Sequence, residues 1–193
     1  MSKVIFLDVD GPMIPVRAYH LPNQTKPASV FDPIAAAMLD KLIKMSGAKL
    51  VISSTWQING LDGVKELLSK NGIDPAHLHE DWATKSAGRS KFSSMRCNEI
   101  KWWLDDHPEV EAWVALDDEE LDFEQVQFAV KASTYDGLSY RNYLEAQIYL
   151  DTPATDEEWD RIAYDIGRLK EDEAIHGARI QDQLNGGVRR ANL

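Results

Sequence analysis

Residues 4–11 read Val-Ile-Phe-Leu-Asp-Val-Asp-Gly, and this stretch decides the fold. Its first four residues are apolar and mostly β-branched or aromatic, which predicts a buried strand over about residues 3–9. Asp8 and Asp10 come at the end of that strand, and Gly11 then releases the chain into a turn. Two carboxylates at a strand end are costly unless a cation or a reaction needs them, so we expect carboxylate and metal chemistry here.

Strand and helix patterns alternate along the rest of the chain. Asp32 followed by Pro33 is typical of a helix start, and Gly47 of a helix end. Segments 12–30 and 75–92 are predicted to be loops. The other predicted elements are strands at about 49–53, 113–116 and 128–130 and helices at about 63–71, 95–104 and 137–149. This alternation predicts an α/β fold around a central, mostly parallel sheet.

Polar side chains follow three of the predicted strands. Ligands of parallel α/β sheets bind beyond the carboxyl ends of the strands, so these side chains are expected to meet at one edge. The residues are Asp8 and Asp10 after the first strand, Ser53 and Ser54 after the second, and Asp117 and Asp118 after the strand at 113–116.

These strand ends suit phosphoryl transfer. A carboxylate such as Asp8 can attack phosphorus, while Mg²⁺ offsets its repulsion from a phosphate and takes oxygen ligands. Asp10 is placed to act as general acid and later as general base. Either Asp117 or Asp118 supplies a further carboxylate to the ion. Ser53 or Ser54 can bind a phosphoryl oxygen, and a cation from the 91–96 region can balance charge in the transition state.

This set resembles the motifs of the haloacid dehalogenase (HAD) superfamily of phosphohydrolases over roughly residues 3–150. Asp8-Val9-Asp10-Gly11 matches the first motif, Ser53 or Ser54 the second, and Asp117-Asp118 the fourth. The third motif is a lysine or arginine at the start of a helix, for which Arg96 fits best and Lys91 is the alternate. The resemblance implies a three-layer, Rossmann-like HAD fold.

The resemblance also implies roles for the matching residues. Asp8 is the implied nucleophile and Asp10 the implied acid/base, with Mg²⁺ held by Asp8, the Asp10 backbone carbonyl and Asp118. The family often has Gly-Asp where this chain has Asp117-Asp118, so either aspartate is a candidate for the principal metal ligand. Gly11, Ser53, Ser54 and Lys91 are the candidate substrate-binding residues.

A closer resemblance is to a minor branch, the HAD domain of Swiss-army-knife RNA-repair proteins. It rests on Ile52-Ser-Ser-Thr-Trp56, the Arg96–Trp103 helix pattern, Ala115-Leu-Asp-Asp118 and Gly137-Leu138. This branch implies removal of phosphate from a nucleic-acid end. Neither gap between motifs looks large enough for a full cap domain, and an open site suits a polynucleotide end or a phosphoprotein, with a nucleotide as the alternative.

Bulk properties restrict the remaining classes. The net charge of −11 over 193 residues argues against a broad nucleic-acid-binding surface, which is normally basic. The sequence has no apolar run of about 18 residues, so no membrane span is predicted. The N-terminus shows no signal-peptide pattern, and the single cysteine, Cys97, fits a reducing cytosol, so a cytoplasmic location is expected.

Two domains are predicted, a catalytic unit over 1–150 and a C-terminal extension over 151–193. Thr155 and Glu158 form a capping-box pattern ahead of a helix over about 155–184. That helix is expected to pack on the domain or to form a homodimer. The alternative to an enzyme is a binding or regulatory protein with the same fold, and the presence of both Asp8 and Asp10 disfavours it.

Overall fold

The fold is built on a five-stranded parallel sheet with the strand order β3-β2-β1-β4-β5. The computed structural model describes residues 2–84, 96–119, 121 and 128–150, together with residues 164, 167, 168, 171, 172 and 174. The strands are β1 (Ser2–Leu7), β2 (Lys49–Ile52), β3 (Leu78–Ala83), β4 (Val110–Asp117) and β5 (Ala129–Lys131). The α/β, Rossmann-like fold class is confirmed.

Four α-helices connect or flank these strands. They are α1 (Pro33–Ser46), α2 (Gly60–Lys70), α3 (Arg96–Asp106) and α4 (Tyr140–Tyr149). The start of α1 is as predicted, because the Asp32 carboxylate accepts hydrogen bonds from the backbone of Ile34 and Ala35. Its end is also as predicted, with Gly47 at a φ of +69°.

The core lies around β1, the central strand. Val4 and Phe6 are fully buried on one face, against Ile100 and Trp103 of α3. The rings of Phe6 and Trp103 meet edge to face at 5.3 Å. The chain runs through α1 from β1 to its neighbour β2, and later returns through α3 to β4 on the other side of β1. Because such connections are right-handed, α1 and α3 lie on opposite faces of the sheet.

The loop predicted over 75–92 is wrong where β3 forms. Residues 78–83 read Leu-His-Glu-Asp-Trp-Ala, which lacks a continuous apolar run, so the pattern did not indicate a strand. As an edge strand, β3 needs only one paired neighbour, and Leu50 pairs with Leu78 and Ile52 with Ala83 across a register shift. Residues 85–92 lie outside the described part of the chain.

Other boundaries moved by a few residues. The helix predicted from 137 begins at Tyr140, where Ser139 and Asn142 form a capping box. The predicted loop over 12–30 contains a short 3₁₀ helix, Val16–His20. In the described residues of the two inter-motif segments, α2 and β3 belong to the fold itself and no cap domain is present.

The chain divides into two compact units, Met1–Thr152 and Pro153–Leu193. The six described residues of the second unit, 164, 167, 168, 171, 172 and 174, are helical and the rest of the helix predicted over 155–184 lies outside the description. Within the described residues, no helix is both long and apolar enough to cross a membrane.

Candidate active site

The carboxyl ends of β1, β2 and β4 bring the predicted site residues to one edge of the sheet. The backbone N–H of Asp8 donates to the carbonyl of Leu116 at 2.9 Å, at the end of β4. The backbone N–H of Ser53 donates to the carbonyl of Leu7 at 3.1 Å, at the end of β2. Main-chain hydrogen bonds therefore hold the ends of these three strands together, and the side chains that follow the strands lie close to one another.

Asp8, Arg96 and Asp117 form a buried ion cluster. The guanidinium Nη1 of Arg96 donates to Asp8 Oδ2 at 2.7 Å and to Asp117 Oδ2 at 2.5 Å. Asp8 is 4% exposed and Asp117 is 2% exposed. Arg96 is the first residue of α3, so the start of one helix carries the cation to two strand ends. Arg96, the preferred third-motif candidate, is thus in contact with both.

The second carboxylate oxygens of the buried ion cluster are held by the backbone. Asp8 Oδ1 accepts the N–H of Val9 at 2.8 Å, and Asp117 Oδ1 accepts the N–H of Glu119 at 2.9 Å. The Ser54 side chain also hydrogen-bonds Asp8. Each carboxylate is consequently fixed in orientation before any ligand binds, which is what a reacting or ligating group requires.

Burial dominates the electrostatics of the cluster. It raises the pKa of Asp8 from 3.8 to about 6, although Arg96 acts in the opposite direction and the Asp117 carboxylate adds to the rise. Burial also raises the pKa of Asp117 above its ordinary value, against Arg96. Burial acts to lower the pKa of Arg96, but the two carboxylates outweigh it and raise that pKa. One cation does not compensate two buried carboxylates, so the cluster favours additional positive charge.

Asp118 extends the carboxylate group toward the surface and packs against Gly11. Gly11 has a φ of +85°, and a Cβ there would lie 2.2 Å from Asp118 Cγ and 2.5 Å from both of its carboxylate oxygens. Only glycine allows both this backbone conformation and this close approach. Gly11 therefore sets the position of Asp118, in addition to its predicted place in the first motif.

The residues present fit a hard divalent cation. Carboxylate oxygens of Asp8, Asp117 and Asp118 lie within 4.8 Å of one another. An all-oxygen donor set with excess negative charge suits Mg²⁺, which keeps water ligands and binds few carboxylates. Both Asp117 oxygens already accept hydrogen bonds, whereas no described residue donates to the Asp118 carboxylate.

Asp10 lies outside the buried ion cluster, at the rim of the site. Its side chain is exposed, and Trp56 Nε1 donates to Asp10 Oδ2 at 3.1 Å. We call Asp10 and Trp56 the rim pair. The chain turns immediately afterwards, since the carbonyl of Ile14 accepts the N–H of Gly11 at 3.2 Å. Asp8 and Asp10 thus face one site from a buried and a solvated position.

The predicted substrate-binding residues have different outcomes. Ser53 is 3% exposed and Ser54 is 1% exposed, so both lie beneath the site, with Ser54 bonded to Asp8. Ser54 also caps the 3₁₀ helix Thr55–Asn59. Lys91 lies outside the described residues.

A second group of metal-ligand types, His79, His107 and Glu109, lies elsewhere on the described surface. His107 Nδ1 donates to the carbonyl of Trp103 at 2.7 Å, so the ring proton is on Nδ1 and the lone pair is on Nε2. His79 Nδ1 accepts the N–H of Asp81 at 3.1 Å, so its proton is on Nε2. The two rings do not present two lone pairs to one ion, and we assign no metal there.

Two features of the site were not predicted. The contact between Trp56 and Asp10 joins residues 46 positions apart, and the approach of Asp118 to Gly11 joins the segments that follow the neighbouring strands β4 and β1. Neither contact has a local sequence pattern. The only signal for them in the sequence was that Trp56 and Gly11 lie next to the motifs.

Comparison with known proteins agrees with the geometry. The chain matches the model of the family described as "HAD domain in Swiss Army Knife RNA repair proteins" over residues 4–143, well over half of its length. No curated protein and no solved structure matches it significantly. The matched region contains the ends of β1, β2 and β4 and the start of α3, hence all the site residues described above. The chain belongs to the family of HAD domains found in Swiss Army Knife RNA repair proteins.

Proposed function

We propose that the protein is a Mg²⁺-dependent phosphomonoester hydrolase that forms an aspartyl-phosphate on Asp8. The observation that carries this proposal is the fixation of a buried Asp8 carboxylate by Val9 N–H and Arg96, next to a second buried carboxylate. A structural ion pair would not need a third carboxylate, that of Asp118, beside the two that Arg96 already contacts. A nucleophile that attacks a phosphate with the help of a divalent cation does, because the additional carboxylate can hold the cation.

The metal would be held by Asp8, Asp118 and the Asp10 backbone carbonyl. Both oxygens of Asp117 already accept hydrogen bonds, so Asp117 would orient Arg96 and add negative charge near the site. Asp118 is therefore the more available of the two candidate ligands. When bound, Mg²⁺ would neutralise phosphate charge and align the phosphoryl group with Asp8.

The proposed reaction has two displacements at phosphorus, both involving Asp8, and two proton transfers, both made by Asp10. A bond forms between an Asp8 oxygen and phosphorus while the bond to the leaving oxygen breaks, and Asp10 gives its proton to that oxygen. Asp10, now a carboxylate, then takes a proton from water as the water oxygen bonds to phosphorus. The bond to Asp8 breaks, which releases inorganic phosphate and returns both carboxyl groups to their starting states.

Ser53, Ser54 and Arg96 would hold the phosphoryl oxygens through this cycle. Arg96 already lies 2.7 Å from Asp8, so its guanidinium is beside the atom to which phosphorus would bond. Hydrogen-bond donors fixed near developing charge are the largest single contribution in many such sites.

Phosphorylated nucleic-acid ends, with nucleotides as the smaller alternative, are the substrate class we propose. The family description names RNA repair, and no cap domain covers the site within the described residues. The net charge of −11 favours recognition of an end at the site over a broad groove along the polymer. The single, buried Cys97 supports a proposed cytoplasmic location.

The test is phosphate release from p-nitrophenyl phosphate by wild type and Asp8→Asn, with Mg²⁺ and with EDTA. Asp105→Asn is the matched control, because it removes an exposed carboxylate from the outer part of α3. We expect Mg²⁺-dependent release by wild type and by Asp105→Asn, and none by Asp8→Asn. Equal release by Asp8→Asn, or release unaffected by EDTA, contradicts the proposal.

Substrate class is tested next with 5′- and 3′-phosphorylated oligonucleotides and nucleoside monophosphates. We expect a higher kcat/KM for the oligonucleotide ends. A higher value for the mononucleotides identifies the nucleotide alternative.

A further inference from the structure

The indole of Trp56 is the one described side chain that hydrogen-bonds the Asp10 carboxylate. Its Nε1–H donates to Asp10 Oδ2 at 3.1 Å. Asp8, by contrast, has Arg96, a backbone N–H and Ser54. An exposed aspartate side chain without a partner samples several rotamers, whereas a general acid must stay within hydrogen-bond reach of the leaving oxygen.

Trp56 is itself fixed by the loop that follows β2. Its backbone N–H donates to Ser54 Oγ at 3.4 Å, and its carbonyl accepts Asn59 Nδ2 at 3.1 Å. Ser54 also bonds Asp8. One short loop therefore contacts the nucleophile through Ser54 and the acid through Trp56, and it joins the two groups in a defined relative position.

The hydrogen bond from the indole distinguishes the two oxygens of the Asp10 carboxyl group. Indole N–H donates and never accepts, so a proton on Asp10 Oδ2 would face another donor. Oδ2 is therefore the accepting oxygen, and Oδ1 is the oxygen that Trp56 leaves free to face the leaving group. The hydrogen bond to Oδ2 also restricts rotation of the Asp10 carboxyl group, so Oδ1 keeps one orientation.

We propose that Trp56 is a positioning residue for leaving-group protonation, acting through Asp10. It holds Oδ2 and so directs the free Oδ1 to the leaving oxygen. This inference rests on the proposed function, because it assigns Asp10 the acid step. The hydrogen bond between Trp56 and Asp10 itself contributes little to folding, since it joins an exposed carboxylate at the rim.

The test uses two substrates of nearly equal size that differ in their need for an acid. Phenolate leaves less readily than p-nitrophenolate, so phenyl phosphate depends more on protonation. For Trp56→Phe we expect kcat/KM to fall about tenfold with phenyl phosphate and less than about twofold with p-nitrophenyl phosphate. The ratio kcat/KM is used because it covers the steps up to departure of the leaving group.

Three further variants make the test specific. Trp56→His keeps a ring N–H near the same position and should recover part of the phenyl phosphate activity. Trp56→Phe added to Asp10→Asn should cause no further loss, because the partner is already changed. Trp103→Phe is the matched control, as its indole N–H donates to the carbonyl of Asp81, on β3, and should leave the substrate ratio unchanged.

The outcomes separate the two proposals. An active wild type with the selective loss supports the positioning role. An equal loss with both substrates, or a loss that persists beside Asp10→Asn, overturns it while the proposed function stands. Absence of Mg²⁺-dependent turnover by wild type overturns the proposed function and this inference with it.

Discussion

Asp8 and Asp10 are two residues apart in the chain, yet the site treats them in opposite ways. Asp8 is 4% exposed and belongs to the buried ion cluster, whereas Asp10 is exposed and belongs to the rim pair. The first carboxylate is held by a guanidinium and the backbone, the second by one indole. A group that forms a covalent bond needs a fixed, dry position, and a group that exchanges protons with water needs access.

The largest expected effect distinguishes the two aspartates by activity. We expect Asp8→Asn to lower kcat by at least about 10³-fold with every substrate, since the proposed nucleophile is lost. Asp10→Asn should lower kcat/KM about 10²-fold or more with phenyl phosphate and much less with p-nitrophenyl phosphate. Steady-state kinetics of both variants check this, and a loss independent of the substrate for Asp10→Asn would remove the assigned division of roles.

The second prediction breaks the buried ion cluster by removing its cation. Arg96→Met leaves the carboxylates of Asp8 and Asp117 buried without a counter-charge, and we expect the free energy of unfolding to fall by about 3 kcal/mol at pH 8. The loss should shrink toward pH 5, where burial-raised carboxyl groups take up protons.

Urea unfolding in metal-free buffer measures this change. Lys44→Met is the control, because Lys44 pairs with Asp40 on an exposed helix face and its loss should cost below about 0.5 kcal/mol. Equal effects of the two substitutions would show that the cluster does not behave as a buried pair.

The third prediction concerns pH and the raised pKa of Asp8. A folded-state pKa of about 6 against 3.8 means that folding favours the protonated form. The corresponding stability is fully present below about pH 4 and is lost as pH rises through about 6. Wild type should therefore lose up to about 3 kcal/mol relative to Asp8→Asn across this window in EDTA.

Chemical unfolding of both proteins at several pH values checks the sign. Mg²⁺ should restore part of the loss in wild type above pH 6, since it binds the ionised form. If the free energy of unfolding changes with pH in the same way for wild type and Asp8→Asn, burial does not disfavour the ionised form of Asp8.

The smallest expected effect concerns the contact between Gly11 and Asp118. A Cβ in Gly11→Ala meets the Asp118 carboxylate and displaces it, so we expect about a 10-fold or larger rise in the Mg²⁺ concentration for half-maximal activity. Gly47→Ala is the control, because Gly47 has a similar φ of +69° and nothing within 4 Å of the added carbon. If both variants need the same Mg²⁺ concentration, Asp118 is not a ligand.

The parts of this molecule that the sequence predicts are those with local causes. Asp32, Pro33 and Gly47 cap α1 through contacts with neighbours in the chain, so its ends were predicted. The apolar runs in β1, β2 and β4 indicated buried strands and hence the edge where Asp8 meets Asp117. β3 was missed because an edge strand is stabilised by pairing with Leu50 and Ile52 more than by its own pattern.

The relative placement of side chains across the sheet was only partly predictable. The position of Arg96 at the start of α3 indicated a cation near Asp8, yet its bridging of Asp8 and Asp117 depends on the packing of α3 against the sheet. The contact between Trp56 and Asp10 depends on the 3₁₀ helix after β2, which no periodicity indicated. Long-range packing of this kind leaves no spacing signal in the sequence.

The central claim is that Asp8 carries the phosphoryl group. The most direct measurement is acid quench of the enzyme during turnover, borohydride reduction of the acyl phosphate and mass spectrometry of the peptide that contains Asp8. The account predicts conversion of Asp8 to homoserine in wild type with Mg²⁺, and none with EDTA or in Asp8→Asn. Turnover with no modification at Asp8, or with modification at another carboxylate, would contradict it.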